Sequence, residues 1–548
     1  MKLNVYEFHV VQQLLQCIPP RVPSRSTEIA VLGKSVVENK ELEIYGPFEN
    51  ESDFVYIDGI TESFSFTKEC MDVVIRNEAK FISFQIKSNL PIMVVPTITY
   101  CCRRSIKIDH RHTISVLYDL DNAQQMYCFH GRCQICKMSY YPNFQCNVNG
   151  GREYFDFGDT IDFLMVTSQT AFKLKMLNHI DAMVTVGQVS FERIANVFNR
   201  SLELVNTSRE LNKCRLQSVW FVYRLLQYKK VFEVWPRKTH GEFHLEELCS
   251  LYYNEIKEMI DSKWLQHKCE NEGCASRAVV IDGNEKLYRY ICSSKKERVS
   301  GNPGEPNLFK GCINYPIISN KYTQGSPLCA VHENNQSGQT AEQIDIYPKT
   351  RSYCRDIQLR VLSEEGCKKS SQLNKYYDRT AGMFYFFRSC GIRLSHREIY
   401  YSEACSDVFV DLIDIFGVTP NVSDVSAIFY DRACDLKPFI DRLAANGNSA
   451  AGNYEKLDYV LDKFHASGHI EKYCVLNNSE CKYHPDLPKF EKYRQVNTQV
   501  AEQSFNVLNM YKYTTRRMAL STRMMFFKFI DDSANILKEK DNNSMDIN

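Results

Sequence analysis

A short β-branched run, Ala278-Val279-Val280-Ile281, ends at Asp282, and this junction constrains the chain more than any other stretch. Gly283-Asn284 follows, then a second run from Lys286 to Ile291, so the segment reads as strand, Asp-Gly-Asn turn, strand. A carboxylate placed where a buried strand emerges into a turn is rigid on one side and reachable on the other, which suits a metal ligand. Taken alone, Asp-Gly is also simply a good turn. Two later stretches weigh against the plain turn. The strand-like Val425–Tyr430 ends at Asp431, and the helix-like Asn497–Leu508 carries Glu502 in its first turns. The three acids are read here as one metal-binding set.

Composition sets limits on what surrounds that set. The 548 residues are enough for roughly three to four domains. Hydrophobic content of 44% with 24% charged residues is ordinary globular material. No apolar run reaches the length of a membrane span. The N-terminal stretch has polar residues every few positions, unlike a secretion signal. A net charge of +1 gives no bulk attraction to nucleic acid, so any such affinity must come from local basic patches. Twenty-two cysteines, many closely spaced with histidines nearby, favour zinc over disulfides in a reducing compartment. Singletons such as Cys17, Cys70 and Cys214 read as core thiols.

Taken in order, residues 1–95 form a mixed N-terminal module without evident chemistry. Residues 96–158 read as a zinc-ribbon-like cysteine-cluster domain, with Cys101-Cys102 on one knuckle and Cys133-Gln134-Ile135-Cys136 on the other. Adjacent cysteines chelate one metal poorly, so Cys101 or Cys102 is alternatively paired with His110, His112, Cys128 or His130. Residues 159–268 read as helical, with amphipathic segments at Phe191–Phe198, Gln217–Tyr228 and Leu245–Trp264 that serve as scaffold or as a DNA-binding unit. A second zinc group draws on Cys269, Cys274, Cys292, Cys312, Cys329 and His332. Cys269, Cys274, Cys329 and His332 are the favoured four. The run from about 292 to 375 then reads as a zinc-binding insertion in a core spanning 269–535.

Within that core the order is strand–strand–strand–helix–strand–helix, with an acid at the end of the first and fourth strands. That is the order of an RNase H-like fold, in which those two strands lie side by side. A third zinc group combines His465 or His469 with Cys474, Cys481 and His484; alternatively these histidines line the acidic site or bond the backbone. Asp462 is a further strand-end acid able to support or replace a ligand. The Glu502 helix is followed by Lys512, Arg516, Arg517 and Arg523 among tyrosines, a mixture that suits a phosphate backbone and stacked bases. The same residues also read as a solvated basic helix face. Residues 536–548 read as a polar, disordered tail. The fold class is thus multidomain, α/β and α+β.

Six segments carry a family resemblance: IDGNEKLYR (281–289), RTAGMFYFFRSCGI (379–392), YDRACDLKPF (430–439), DKFHASGHIEKYC (462–474), CKYHPDLPKF (481–490) and VNTQVAEQSFNVLNMYK (496–512). Together they resemble the Kyakuja-Dileera-Zisupton (KDZ) transposases, in the lineage that carries accessory cysteine clusters. Many relatives have Gly-Glu where this chain has Ala501-Glu502. The resemblance implies Asp282, Asp431 and Glu502 as the catalytic acids. It also implies DNA (transposon ends and target) as the partner, a homo-oligomer as the assembly and the nucleus, otherwise the cytoplasm, as the location. In-line phosphoryl chemistry is served by two Mg²⁺ or Mn²⁺ ions about 3.5–4 Å apart. Mg²⁺ takes oxygen ligands and keeps several waters, so a few carboxylates suffice. Asp282 would bridge both ions, with Asp431 on one and Glu502 on the other, and Zn²⁺ would be structural. The rival is a non-catalytic, domesticated or decayed zinc-containing DNA-binding protein. A ribonuclease on the same fold fits the same metal logic but agrees less well with the motifs.

Overall fold

The computed structural model describes residues 22, 92–109, 111–156, 162–167, 169–205, 207–236, 244–268, 272–291, 379–399, 405–421, 424–466 and 481–544. The N-terminal module, the insertion and the candidate ligands His110, Cys269, Cys292, Cys312, Cys329, His332, His469 and Cys474 therefore lie outside, or almost wholly outside, the described residues. The chain divides into two compact units, Met1–Met183 with Phe191–His244, and Val184–Ser190 with Leu245–Asn548. The region expected to be one helical module, 159–268, is shared between them. No helix among the described residues is long and apolar enough to cross a membrane.

The first unit contains a five-stranded sheet, in the order Ile92–Val94, Ala123–Cys128, Thr113–Tyr118, Thr170–Lys173, Phe163–Thr167, and a six-stranded sheet of short strands. Its helices include Phe191–Ser201, which buries Phe191, Ile194, Ala195 and Phe198. That i, i+3, i+4, i+7 stripe is the one the sequence spacing predicts. The helix Lys213–Leu225 begins four residues earlier than its periodicity indicates, because the Asn212 side chain caps it by accepting from the Cys214 backbone N–H. Arg152 is buried between the rings of Phe144 and Trp235, its guanidinium carbon 4.0 Å from each centroid. There it donates to the Val166 carbonyl at 2.9 Å, so a charge in the core keeps both a cation–π and a hydrogen-bond partner.

The second unit is built on β1 (Ala278–Asn284), β2 (Gly382–Arg388), β3 (Arg393–Ile399), β4 (Ala427–Tyr430) and β5 (Asp458–Val460). Their order in the sheet is β3-β2-β1-β4-β5. β1 to β3 pair antiparallel, whereas β4 pairs parallel to β1 and β5 parallel to β4. The helices used below are α1 (Leu245–Leu265), α2 (Glu272–Ala275), α3 (Cys405–Phe416), α4 (Ala433–Ala445), α5 (Val500–Leu508) and α6 (Leu520–Ser544).

The expected Asp282-Gly283-Asn284 hairpin does not form. Those residues continue β1 and pair with Tyr385, Phe384 and Met383 of β2. The partner strand comes from about a hundred residues later, because all seven residues of β2 are buried and their apolar surface decides the pairing. The chain turns only after Asn284, whose side-chain oxygen accepts from the Lys286 N–H at 3.1 Å. Of the expected second strand, only Tyr290 makes a bridge, to Arg379. Gly382 starts β2 at φ +148°, and a Cβ there would sit 2.3 Å from the Asn284 carbonyl oxygen, so the close approach of the two strands requires glycine.

The far face of β3 is sealed by α6 through buried charges. Glu398 accepts two bonds from Arg289, each 2.9 Å, and also pairs with Arg523, all three side chains being fully buried. Asp531 binds both Arg393 (3.1 Å) and His396 (2.7 Å). Asp532 accepts from the Trp264 indole of α1 at 2.8 Å. The expected disordered tail from 536 is instead helix through Ser544.

Candidate functional site

β1 and β4 are parallel neighbours, and their ladder runs to Ile281 opposite Tyr430. One step further along each strand stand Asp282 and Asp431, so backbone register alone sets the two acids side by side. Glu502 lies in the first turn of α5, on its exposed side, while Val500, Ala501, Ser504, Phe505 and Leu508 face inward. Gln499 occupies the N-cap position of α5 without a side-chain cap, and the Asn497 side chain before it accepts from the Gln499 N–H. The helix thus brings its acid to β1 from over two hundred residues downstream.

A histidine joins two of the three acids; among the described residues, Asp431 is not in that ligand group. Asp282, His465 and Glu502 each offer a ligand atom, and these atoms lie within 4.8 Å of one another. His465 follows β5 and hydrogen-bonds through Nδ1 to Asp462 at 2.8 Å. Asp462 is buried, so it fixes the ring and leaves Nε2 as the nitrogen open to the site. Sequence spacing grouped His465 with Cys481 and His484. Among the described residues no ligand group contains that combination, and the structure places the histidine with the acids.

The electrostatics follow from this crowding. Burial, then the neighbouring Asp431 charge, push the Asp282 carboxyl up from 3.8 to about 7, with Glu502 adding to the rise and His465 and the Gly283 N–H opposing it. The hydrogen bond to Asp462, with the charges of Asp282 and Asp431, raises His465 from 6.5 to about 9, against the effect of burial. The ion-free site therefore holds more carboxylate than it can easily ionise and carries an imidazolium as its internal countercharge. A divalent cation would relieve the same crowding; the carboxylates suit a hard ion, whereas the imidazole suits a borderline one.

Further along the chain from α5 is a basic, aromatic patch. Lys512 and Arg516 each lie 4.8 Å from the centroid of Tyr513, which is 64% exposed. Arg516 also approaches Tyr290, and Arg379 stands 4.6 Å from the Tyr288 ring. Burial opposes ionisation of Tyr288, but Arg516, Tyr290 and Arg379 outweigh it and lower its pKa. Arg517 is exposed. Arg523, expected to join them on a nucleic acid, is fully buried against Glu398 and faces no solvent. Its basic spacing disguised a core residue.

In the first unit, Cys101, Cys102, Cys133 and Cys136 converge, with ligand atoms within 4.8 Å of one another. The adjacent pair is accommodated because Cys102 and Arg103 turn through the left-handed region (φ 48° and 60°) between the strands Tyr100–Cys101 and Arg104–Ser105. Sγ of Cys101 lies 3.7 Å from that of Cys102 and 3.4 Å from that of Cys136. Tetrahedral zinc with Zn–S of about 2.3 Å spaces its sulfurs by about 3.8 Å, so the cluster is compatible with zinc. The Cys136 backbone N–H leads in lowering the Cys133 thiol to about 6, whereas bonds to the Cys136 and Cys101 thiols push Cys102 up to about 12. The alternative ligands among the described residues stand elsewhere: Cys128 is buried near the Met165 sulfur, His112 packs on Tyr127, and His130 stacks on Tyr141.

Comparison with known proteins bears on this cluster. Residues 89–202 match the family described as CxC5 like cysteine cluster associated with KDZ transposases. The chain carries a KDZ-associated cysteine cluster. The KDZ-associated match stops short of the acidic site and covers about a fifth of the sequence. No curated protein matches the chain. The crystal structure of a pre-cleavage Mos1 transpososome aligns at 10% identity over 67% of this chain and 77% of that one, but its TM-score of 0.14 carries no argument about fold.

Sequence reasoning missed two ligand-type residues beside Cys274: His267 and Cys390, whose atoms lie with its own within 4.8 Å. His267 stands shortly before Cys269 and Cys274 and was within reach of short-range spacing, whereas Cys390 lies 123 residues from His267 and was not.

Proposed function

We propose that the protein is a transposase-like enzyme that cleaves and rejoins DNA at a divalent-metal site formed by Asp282, Asp431 and Glu502, on a sheet we read as an RNase H-like core. The observation that carries this reading is the meeting of Asp282 and Glu502 with His465, within 4.8 Å, at the point where Asp431 stands one step along the neighbouring strand. The KDZ-associated cysteine cluster supports the same reading. When bound, Mg²⁺ or Mn²⁺ would activate the attacking water or 3′-hydroxyl and stabilise the leaving oxygen. Asp282 and Asp431 hold position through the β1–β4 ladder and Glu502 through the packed face of α5. Asp462 orients His465, so its ring turns toward the acids. Lys512, Arg516 and Arg517 would take the phosphate backbone, with Tyr513 and Tyr288 offering faces for unstacked bases. A homo-oligomeric assembly and a nuclear location belong to this reading. Zn²⁺ would hold the cysteine cluster together.

Asp431→Ala is the decisive test. It should abolish Mg²⁺-dependent cleavage of labelled DNA while leaving zinc content unchanged. Cleavage at the wild-type rate in that variant refutes the assignment. A second reading, a non-catalytic zinc-containing DNA-binding protein, draws on the restriction of the family match to the accessory cluster. Salt-sensitive DNA binding that is indifferent to Mg²⁺ and to Asp282→Asn would favour it.

A further inference from the structure

We propose that His267, Cys274 and Cys390 form a second zinc site, within the second unit and separate from the acidic centre. The three residues come from three segments. His267 follows the end of α1, Cys274 lies in α2 just before β1, and Cys390 lies in the turn that joins β2 to β3. Their ligand atoms lie within 4.8 Å of one another, and His267 and Cys274 are buried. Nε2 of His267 stands 3.7 Å from Sγ of Cys390. Zinc bound to sulfur at about 2.3 Å and to imidazole nitrogen at about 2.05 Å in a tetrahedral arrangement separates those two atoms by about 3.5 Å, so an ion needs only a small adjustment to seat.

The surroundings suit a metal rather than a thiol pair alone. The other ring nitrogen, Nδ1, faces the Glu539 carboxylate at 3.6 Å. At that distance the carboxylate makes an electrostatic contact and no hydrogen bond, and its charge favours a proton on the far nitrogen. Arg277 donates to the His267 carbonyl at 2.8 Å, which ties the residue after α1 to the segment between α2 and β1. The softness of two sulfurs and an imidazole selects zinc over Mg²⁺.

The position explains what the ion would do. Val279, near the start of β1, pairs with Arg388, and Cys390 lies just beyond Arg388. Asp282 is three residues further along β1, about 10 Å at the rise of a strand. The ion would tie the end of α1 to the β2–β3 turn at the opposite end of the strand from the acids. It would thereby hold β1 in register without taking part in their chemistry.

The test is zinc per chain, by elemental analysis of the full-length protein, in wild type, Cys390→Ser, His267→Cys and Cys133→Ser. Cys390→Ser should lose one equivalent relative to wild type, Cys133→Ser a different one, and the double variant two. His267→Cys keeps a soft ligand and guards against simple misfolding. It should retain the zinc and, after Co²⁺ replacement, gain thiolate-to-cobalt charge-transfer absorption. Wild-type zinc content in Cys390→Ser, or an unchanged cobalt spectrum in His267→Cys, overturns the site. So does recovery of Cys274 and Cys390 as a disulfide in protein purified without reductant.

Discussion

Neutralising Asp282 should stabilise the ion-free protein, by an amount that depends on pH. Its carboxyl titrates near 7 in the folded chain, against an ordinary 3.8. Folding therefore raises its proton affinity. As pH climbs from about 4, the unfolded chain releases this proton first, so stability falls through the window and levels off above about 7. At about 1.36 kcal/mol per pH unit, the ceiling on the loss is about 4 kcal/mol. Asp282→Asn removes the charge and keeps the shape. Part of the gain is offset by burying the amide and by withdrawing a partner from His465, leaving roughly 1–3 kcal/mol. His465 works in the other direction: its contribution is complete below 6.5 and is lost as pH rises through about 9. The assay is urea denaturation of wild type and Asp282→Asn, in buffer free of Mg²⁺ but with zinc retained, at pH 4.5 and pH 8. The variant should be the more stable at pH 8 and nearly equal at pH 4.5. Added Mg²⁺ should then raise the wild type by linkage and leave the variant unmoved. A variant less stable than wild type at pH 8, or a gain equal at both pH values, refutes the electrostatic argument.

Glu398→Gln should cost about 3–5 kcal/mol in the same denaturation experiment, because it leaves Arg289 and Arg523 buried without their counter-charge. A loss under about 1 kcal/mol would mean that the pair is not load-sharing as described. Replacing Lys512, Arg516 and Arg517 together by Ala should weaken DNA binding and reduce the salt-dependence slope by up to about 3, measured by fluorescence anisotropy over a salt series. An unchanged slope removes the patch from the interface.

The parts of the fold that sequence could reveal were those written in local periodicity. The stripe of Phe191, Ile194, Ala195 and Phe198, the apolar run of β1 and the strand ending at Asp431 all announce themselves within a dozen residues. The four cysteines of the first unit were legible as residue types, though not the left-handed turn that lets Cys101 and Cys102 converge. What stayed hidden depends on distant partners. Asp282-Gly283-Asn284 has turn chemistry, but the buried aromatic β2 claims it as strand. His465 reads by spacing either as a zinc ligand or as a residue lining the acidic site, and the route of the chain after β5 is what carries it to Asp282. Arg523 carries a charge that reads as surface, and its partner Glu398 lies 125 residues earlier.

That separation has a consequence for synthesis. Glu398, Arg393 and His396 of β3 find their partners in a helix 125 to 138 residues downstream. At a translation rate of about 5–20 residues per second, the ribosome needs roughly 6–28 s to deliver them. Until then Arg393 and His396 lack Asp531, and Glu398 has only Arg289. The seal over β3 is completed only once that late segment has been made.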